Sequence, residues 1–133
     1  MKAEVKELSK NRLSKAKETF KEGTTLLEKG LYGGSINRFY YAAFYAARAL
    51  LAAKELDSSK HSGVIALFHQ HFVQTKIVDV EKAKALSRSF EKRQDNDYED
   101  FVSATKEETA TLQLQVQRFI EECEGALKQH YDI

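Results

Sequence analysis

Proline is absent from the 133 residues, where average usage near 5% would supply about six or seven. A proline inside a helix removes a hydrogen bond and clashes with the preceding turn, so its absence permits long uninterrupted helices. Glycine is scarce, six in all, and Gly30, Gly33 and Gly34 sit together as punctuation. The single cysteine, Cys123, can form no internal disulfide, and it reads as a small apolar residue on a helix in a reducing compartment. No apolar run approaches 18 residues without a charge, so no membrane span is expected. The stretch from Met1 to Lys17 is polar and charged and carries no secretory signal. A cytoplasmic protein is the expectation. Nor is there an excess of one charge: 21 basic against 20 acidic residues leave +1. A chain-wide electrostatic footprint for nucleic acid is therefore missing, although balanced totals allow a local basic groove.

What is present is enough for a core. Hydrophobic residues make up 42% and charged residues 31%, which places the chain away from the disordered class. Residues 1–133 read as one domain. From about Glu4 to Lys29, Val5, Leu8, Leu13, Ala16, Phe20 and Leu27 recur at mostly three- and four-residue steps, an amphipathic helix with Lys15, Lys17 and Lys21 on its solvated side. The glycine cluster ends it, and Ser35 has N-cap chemistry for the next helix. That helix, Ile36 to about Leu56, is apolar on nearly every face between Phe39 and Ala47, so other helices must surround it. Arg38 and Arg48 interrupt it. A shorter helix follows Asp57-Ser58-Ser59 and ends near Val73. Asp79 caps a fourth, whose polar side ends in Arg88, Glu91, Lys92 and Arg93. Gln94 to Asp100 is the most turn-prone stretch. Thr105 and Glu108 have capping-box spacing for the last helix, whose stripe is Leu112, Val116, Phe119, Cys123 and Leu127. The expected fold is all-α, an antiparallel up-and-down helical bundle of about five helices.

Chemistry-bearing residues are few. His69 and His71 are two apart and point to different sides of a helix, and no cysteine or carboxylate pattern completes a metal site. No metal and no cofactor is expected. No phosphate-loop, dinucleotide, zinc-protease or nucleophile-elbow motif occurs. His61 and His130 read as surface residues. The aromatic run Phe39 to Tyr45 suits core packing first and base stacking second, and Tyr40, Tyr41 and Tyr45 need hydroxyl partners or an edge. The strongest candidate site is Glu91 to Asp100. It sets Arg93 at a helix end beside carboxylates, an amide and the Tyr98 phenol, where a guanidinium could grip a phosphate with two hydrogen bonds. The plainer reading is a helix-terminal charge with local salt bridges.

The segment Ser35-Ile36-Asn37-Arg38-Phe39-Tyr40-Tyr41-Ala42-Ala43-Phe44-Tyr45-Ala46-Ala47-Arg48-Ala49-Leu50-Leu51 resembles the second-helix signature of HEPN domains (higher eukaryotes and prokaryotes nucleotide-binding), closest to a small prokaryotic group. Lys60-His61-Ser62-Gly63-Val64-Ile65 with Phe68 and Phe72, then Arg93-Gln94-Asp95-Asn96-Asp97-Tyr98, continue it in order over nearly the whole chain. The resemblance implies a helical bundle that forms a homodimer, and a minimal nucleotidyltransferase as partner in a toxin–antitoxin-like pair, with nucleotide or RNA as ligand. It implies ligand-binding roles for Arg93, Asn96, Asp97 and Tyr98, with Arg38 and Tyr41 lining the same groove. Active relatives are metal-independent RNases with an Arg-x4-6-His motif completed across the dimer. Here Tyr98 stands at the histidine position after Arg93, and no histidine follows before His130. A phenol is a poor general base at neutral pH. A non-catalytic module is therefore the first expectation. An RNase using Arg93 and Tyr98 as catalytic candidates, with His61, is the alternative, and a purely structural interaction bundle is the third. In some relatives a tyrosine near this motif is adenylylated, and Tyr98 is its analogue.

Overall fold

A computed structural model describes residues 1–98 and 103–133, with the side chain of Tyr98 outside the described part. Five α-helices follow in order: α1 Ala3–Glu28, α2 Tyr32–Ala53, α3 His61–Phe68, α4 Val80–Tyr98 and α5 Lys106–Tyr131. A single π-helical turn, His69–Val73, continues α3. No strand occurs among the described residues. The protein is an all-α bundle.

The α2 helix is the axis of the bundle and meets each of the other four. Its residues Phe39, Tyr40, Ala42, Ala43, Ala46, Ala47, Leu50 and Leu51 are fully buried. From Ile36 onward, only Asn37, Arg38, Tyr41, Tyr45 and Arg48 stay half-exposed. They form one stripe at three- and four-residue steps, the part of α2 that no other helix covers.

Helix α1 runs antiparallel to α2, fixed by three cross-ties. Ser9 Oγ donates to Ala49 O (2.7 Å), Arg12 to Arg48 O (3.2 Å) and Ser35 Oγ to Gly23 O (2.7 Å). The seam is lined by small residues, Ser9, Ala16, Thr19 and Gly23, rather than by large apolar ones. A Cβ on Gly23 would sit 2.7 Å from the Phe39 ring, so only glycine allows this approach. Leu8, expected on the buried stripe, is 45% exposed because that position faces away from α2. Ser35 also differs from expectation. It lies inside α2, which starts at Tyr32, and its hydroxyl serves the seam instead of the helix start. The turn between the two helices holds Gly30 at φ +75°, where a Cβ would be strained.

Helices α4 and α5 are also antiparallel, tied by Lys82 to Glu122 and Lys92 to Glu108. Thr105 accepts from the Glu108 N–H (3.1 Å), as its spacing predicts. The stretch from Gln94 to Tyr98, expected as a turn, continues α4 instead. It contains no glycine or proline, Arg93 pairs with Asp97 one turn on (3.3 Å), and Asn96 Nδ2 reaches Gly33 O (3.4 Å) at the start of α2. Residues 99–100, also in the predicted turn, lie outside the described part.

Candidate functional site

The half-exposed stripe of α2 meets α4 and the start of α3 at a cluster of rings and guanidiniums. Tyr40 lies at its base, with no exposed surface. Its ring packs against Tyr41, Phe44, His61 and Phe90 at centroid distances of 5.2–5.8 Å. Its hydroxyl lies 2.7 Å from His61 Nδ1. Burial pushes the Tyr40 phenol up, against the pull of the Arg93 charge. The hydroxyl therefore keeps its proton and has no other hydrogen-bond partner among the described residues, so it donates to Nδ1. That bond places the imidazole proton on Nε2. Burial, then the charges of Arg93 and Arg48, hold the His61 pKa below its ordinary value, so the ring is neutral near pH 7. Its face stacks on Phe44 at 4.4 Å.

Arg93, half-buried on α4, holds its guanidinium over Tyr40 (5.4 Å) and over Tyr41 (5.2 Å). Arg38 of α2 lies over the same Tyr41 ring at 5.2 Å. Two like charges on one ring face mutual repulsion, offset by the ring quadrupole and by one carboxylate each: Asp97 near Arg93 and Glu22 near Arg38 (3.7 Å). The Arg93 Nε–H is buried and, despite its closeness to Asp97, makes no hydrogen bond among the described residues. A planar donor group in this state is matched to a planar or tetrahedral oxyanion.

The other end of the stripe carries a second charged group. Asp57 pairs with Arg48 (3.0 Å) and Arg12 (3.6 Å) and accepts the Ser58 N–H (2.8 Å). Burial works against its ionised form, but these three partners prevail and hold its pKa below the usual carboxylate value.

The structure thus gathers four of the six sequence-predicted residues, Arg93, Asp97, Arg38 and Tyr41. Asn96 differs from expectation: its amide braces α4 against Gly33, where an added Cβ would come within 3.1 Å of it. The Tyr98 side chain lies outside the described residues. His61, expected at the surface, is half-buried at the centre of the cluster. The signal that could have found it was the unpartnered hydroxyl of Tyr40, which had to meet something. Arg48 and Asp57 were missed as a pair because their contact bridges α2 and the loop after it. Among the described residues, no group of three metal-ligating side chains occurs, and no helix is long and apolar enough to cross a membrane.

These features, an all-α bundle whose central helix carries arginines and tyrosines toward an Arg-containing fourth helix, define a small all-α helical domain. The HEPN domain family matches this chain over residues 9–126, and the chain belongs to that family. It is similar to the UPF0332 protein of Thermotoga maritima, 37% identical over 86% of either chain. Two Methanocaldococcus jannaschii proteins carrying the name "putative toxin" are also similar. One is 33% identical over 75% of this chain and 68% of its own, the other 32% identical over 86% of this chain and 84% of its own.

Proposed function

We propose that this chain is a toxin-like HEPN module that binds the phosphate of a nucleotide or RNA at Arg93 and Arg38, acts as a homodimer and pairs with a minimal nucleotidyltransferase. One observation carries the ligand reading: two guanidiniums converge on the Tyr41 ring, and the Nε–H of Arg93, though 3.3 Å from Asp97, makes no hydrogen bond among the described residues. Arginine offers phosphate a two-point grip, and a tyrosine ring face offers a base a stacking surface. The naming of two relatives as toxins and the family's resemblance support the biological role. The test is fluorescence anisotropy with a labelled RNA oligomer at low salt. Arg93→Ala weakens binding about tenfold or more, the loss expected for a charge-assisted contact, while Arg118→Ala, on α5 beside Lys82 and Ala85 and outside the ring cluster, leaves it unchanged. Equal binding by the wild type and Arg93→Ala overturns the reading. Co-expression with the nucleotidyltransferase yields a stable complex and relieves the growth arrest caused by the module alone. Failure of both rejects the pairing.

A second reading, metal-independent RNA cleavage, is favoured by one feature: a neutral imidazole, His61, fixed within the field of Arg93. Its Nε2–H is a donor in this tautomer, suited to a phosphate oxygen, and it can accept a proton only after the Tyr40 hydroxyl bond rearranges. Incubation of the protein with RNA decides it. Cleavage lost in His61→Ala and Arg93→Ala supports the enzyme, and intact RNA at high protein concentration rejects it.

A further inference from the structure

The cleft beyond His61 is a separate feature from the Arg93 group. It has a volume of about 510 Å³ and is lined by Phe44, Arg48, Asp57, Ser58, Ser59 and His61. Phe44 supplies an apolar floor, buried to all but 6%. Arg48 places one guanidinium edge on Asp57 (3.0 Å), yet its Nε–H is buried with no acceptor among the described residues. Arg12 and Arg48 oppose a single carboxylate, Asp57, so the cluster keeps one net positive charge. The hydroxyls of Ser58 and Ser59 and the start of α3 complete a donor-rich rim. His61 belongs to both places. It lines this cleft, and through Tyr40 it touches the ring that carries Arg93.

We infer that this cleft is a second phosphate subsite, so that the ligand is a single-stranded oligonucleotide lying along the α2 stripe from Arg38 to Arg48 rather than a mononucleotide. The inference rests on the ligand reading given above and extends it. The spacing suits a strand. Ten residues of helix separate Arg38 from Arg48, a rise of about 15 Å, which spans roughly four stacked nucleotides at about 3.4 Å each. Between the two arginines, Tyr45 is half-exposed and presents ring surface for a base, beside the Tyr41 ring that Arg38 and Arg93 flank. Lys15 Nζ, 4.7 Å from the Tyr45 ring centre, adds a cation beside the path. A mononucleotide would use Arg93 and Arg38 and leave the Arg48 cleft unused.

The test compares AMP with 5′-labelled hexauridylate on the full chain. The hexamer binds the wild type at least about tenfold more tightly than AMP, the gain of one further charge-assisted phosphate contact. Arg48→Ala removes that gain and lessens the salt dependence of hexamer binding by about one phosphate contact, while AMP affinity stays within about twofold. Because Arg48→Ala also breaks the Asp57 pair, Ser59→Glu provides a second variant. It places a carboxylate at the exposed rim without touching that pair, and it lowers hexamer affinity about tenfold while sparing AMP. AMP binding with no preference for the hexamer, or hexamer binding unmoved by both variants, overturns this inference and leaves the Arg93 reading standing. A wild type that binds neither probe overturns both.

Discussion

Replacing Tyr40 by phenylalanine removes one oxygen from the centre of the site and nothing else. The ring keeps its neighbours Tyr41, Phe44 and Phe90, since the position is fully enclosed and Phe fits the same outline. What is lost is the donor 2.7 Å from His61 Nδ1. A neutral hydrogen bond contributes about 0.5–1.5 kcal/mol, and an acceptor left unpaired in a buried position raises the cost to about 1–3 kcal/mol. His61 is only half-buried, so a loss of about 1–2 kcal/mol is expected, or roughly 4–7 °C in Tm for a domain of this size. The pH profile gives a second readout. The folded His61 pKa lies below its ordinary value because of burial, Arg93 and Arg48. As pH falls through about 6.5, the unfolded chain therefore takes up its proton first, and stability declines until the folded ring is protonated too. In Tyr40→Phe the ring is freer to protonate, so the decline becomes shallower. Nitrogen-detected NMR of the histidines reads the tautomer directly. A His61 that carries its proton on Nδ1 in the wild type, or a Tyr40→Phe protein with unchanged Tm and unchanged His61 titration, refutes the reasoning.

Other substitutions probe the frame that positions the site. Gly23→Ala forces a methyl to within 2.7 Å of Phe39 and costs about 1–3 kcal/mol in chemical denaturation, despite alanine's better helix propensity; a stabilised variant would mean that the α1–α2 seam is looser than described. Thr105→Ala removes the side chain that accepts from Glu108 N–H and costs about 1 kcal/mol, whereas Thr105→Ser costs little; equal losses would contradict the capping role. Asp57→Asn leaves Arg12 and Arg48 facing each other without a carboxylate and lowers Tm at pH 7. The gap closes as pH falls, because the depressed Asp57 pKa means that the wild type loses this contribution when the carboxylate is protonated. A gap that widens in acid would sink that assignment.

The parts of the fold set by local rules were legible in the sequence. Thr105 and Glu108 announced the start of α5, and the all-round apolar run Phe39 to Ala47 announced a central helix. The errors have physical causes. Counting large apolar residues put Leu8 on the buried face of α1, whereas close helix approach selects Ser9, Ala16, Thr19 and Gly23, which a hydrophobicity pattern does not weigh. Polar composition suggested a turn after Arg93, but Asp97 pairs with Arg93 one turn earlier within α4, and Asn96 braces on Gly33, a contact that exists only once α2 is alongside. Arg93, Arg38 and Tyr41 were recognisable by type and by resemblance. His61 was not, because its placement depends on a hydroxyl 21 residues earlier in the chain.

The central claim is that Arg93 and Arg38 meet the phosphate together over Tyr41. Titrating AMP into protein labelled for detection of arginine Nε–Hε resonances tests it at the atoms concerned. The account predicts that the Arg93 and Arg38 signals move in concert at the lowest ligand concentrations, with Arg118 unmoved. Signals of Arg93 and Arg38 that stay fixed while others shift, or no shift at all, would contradict it.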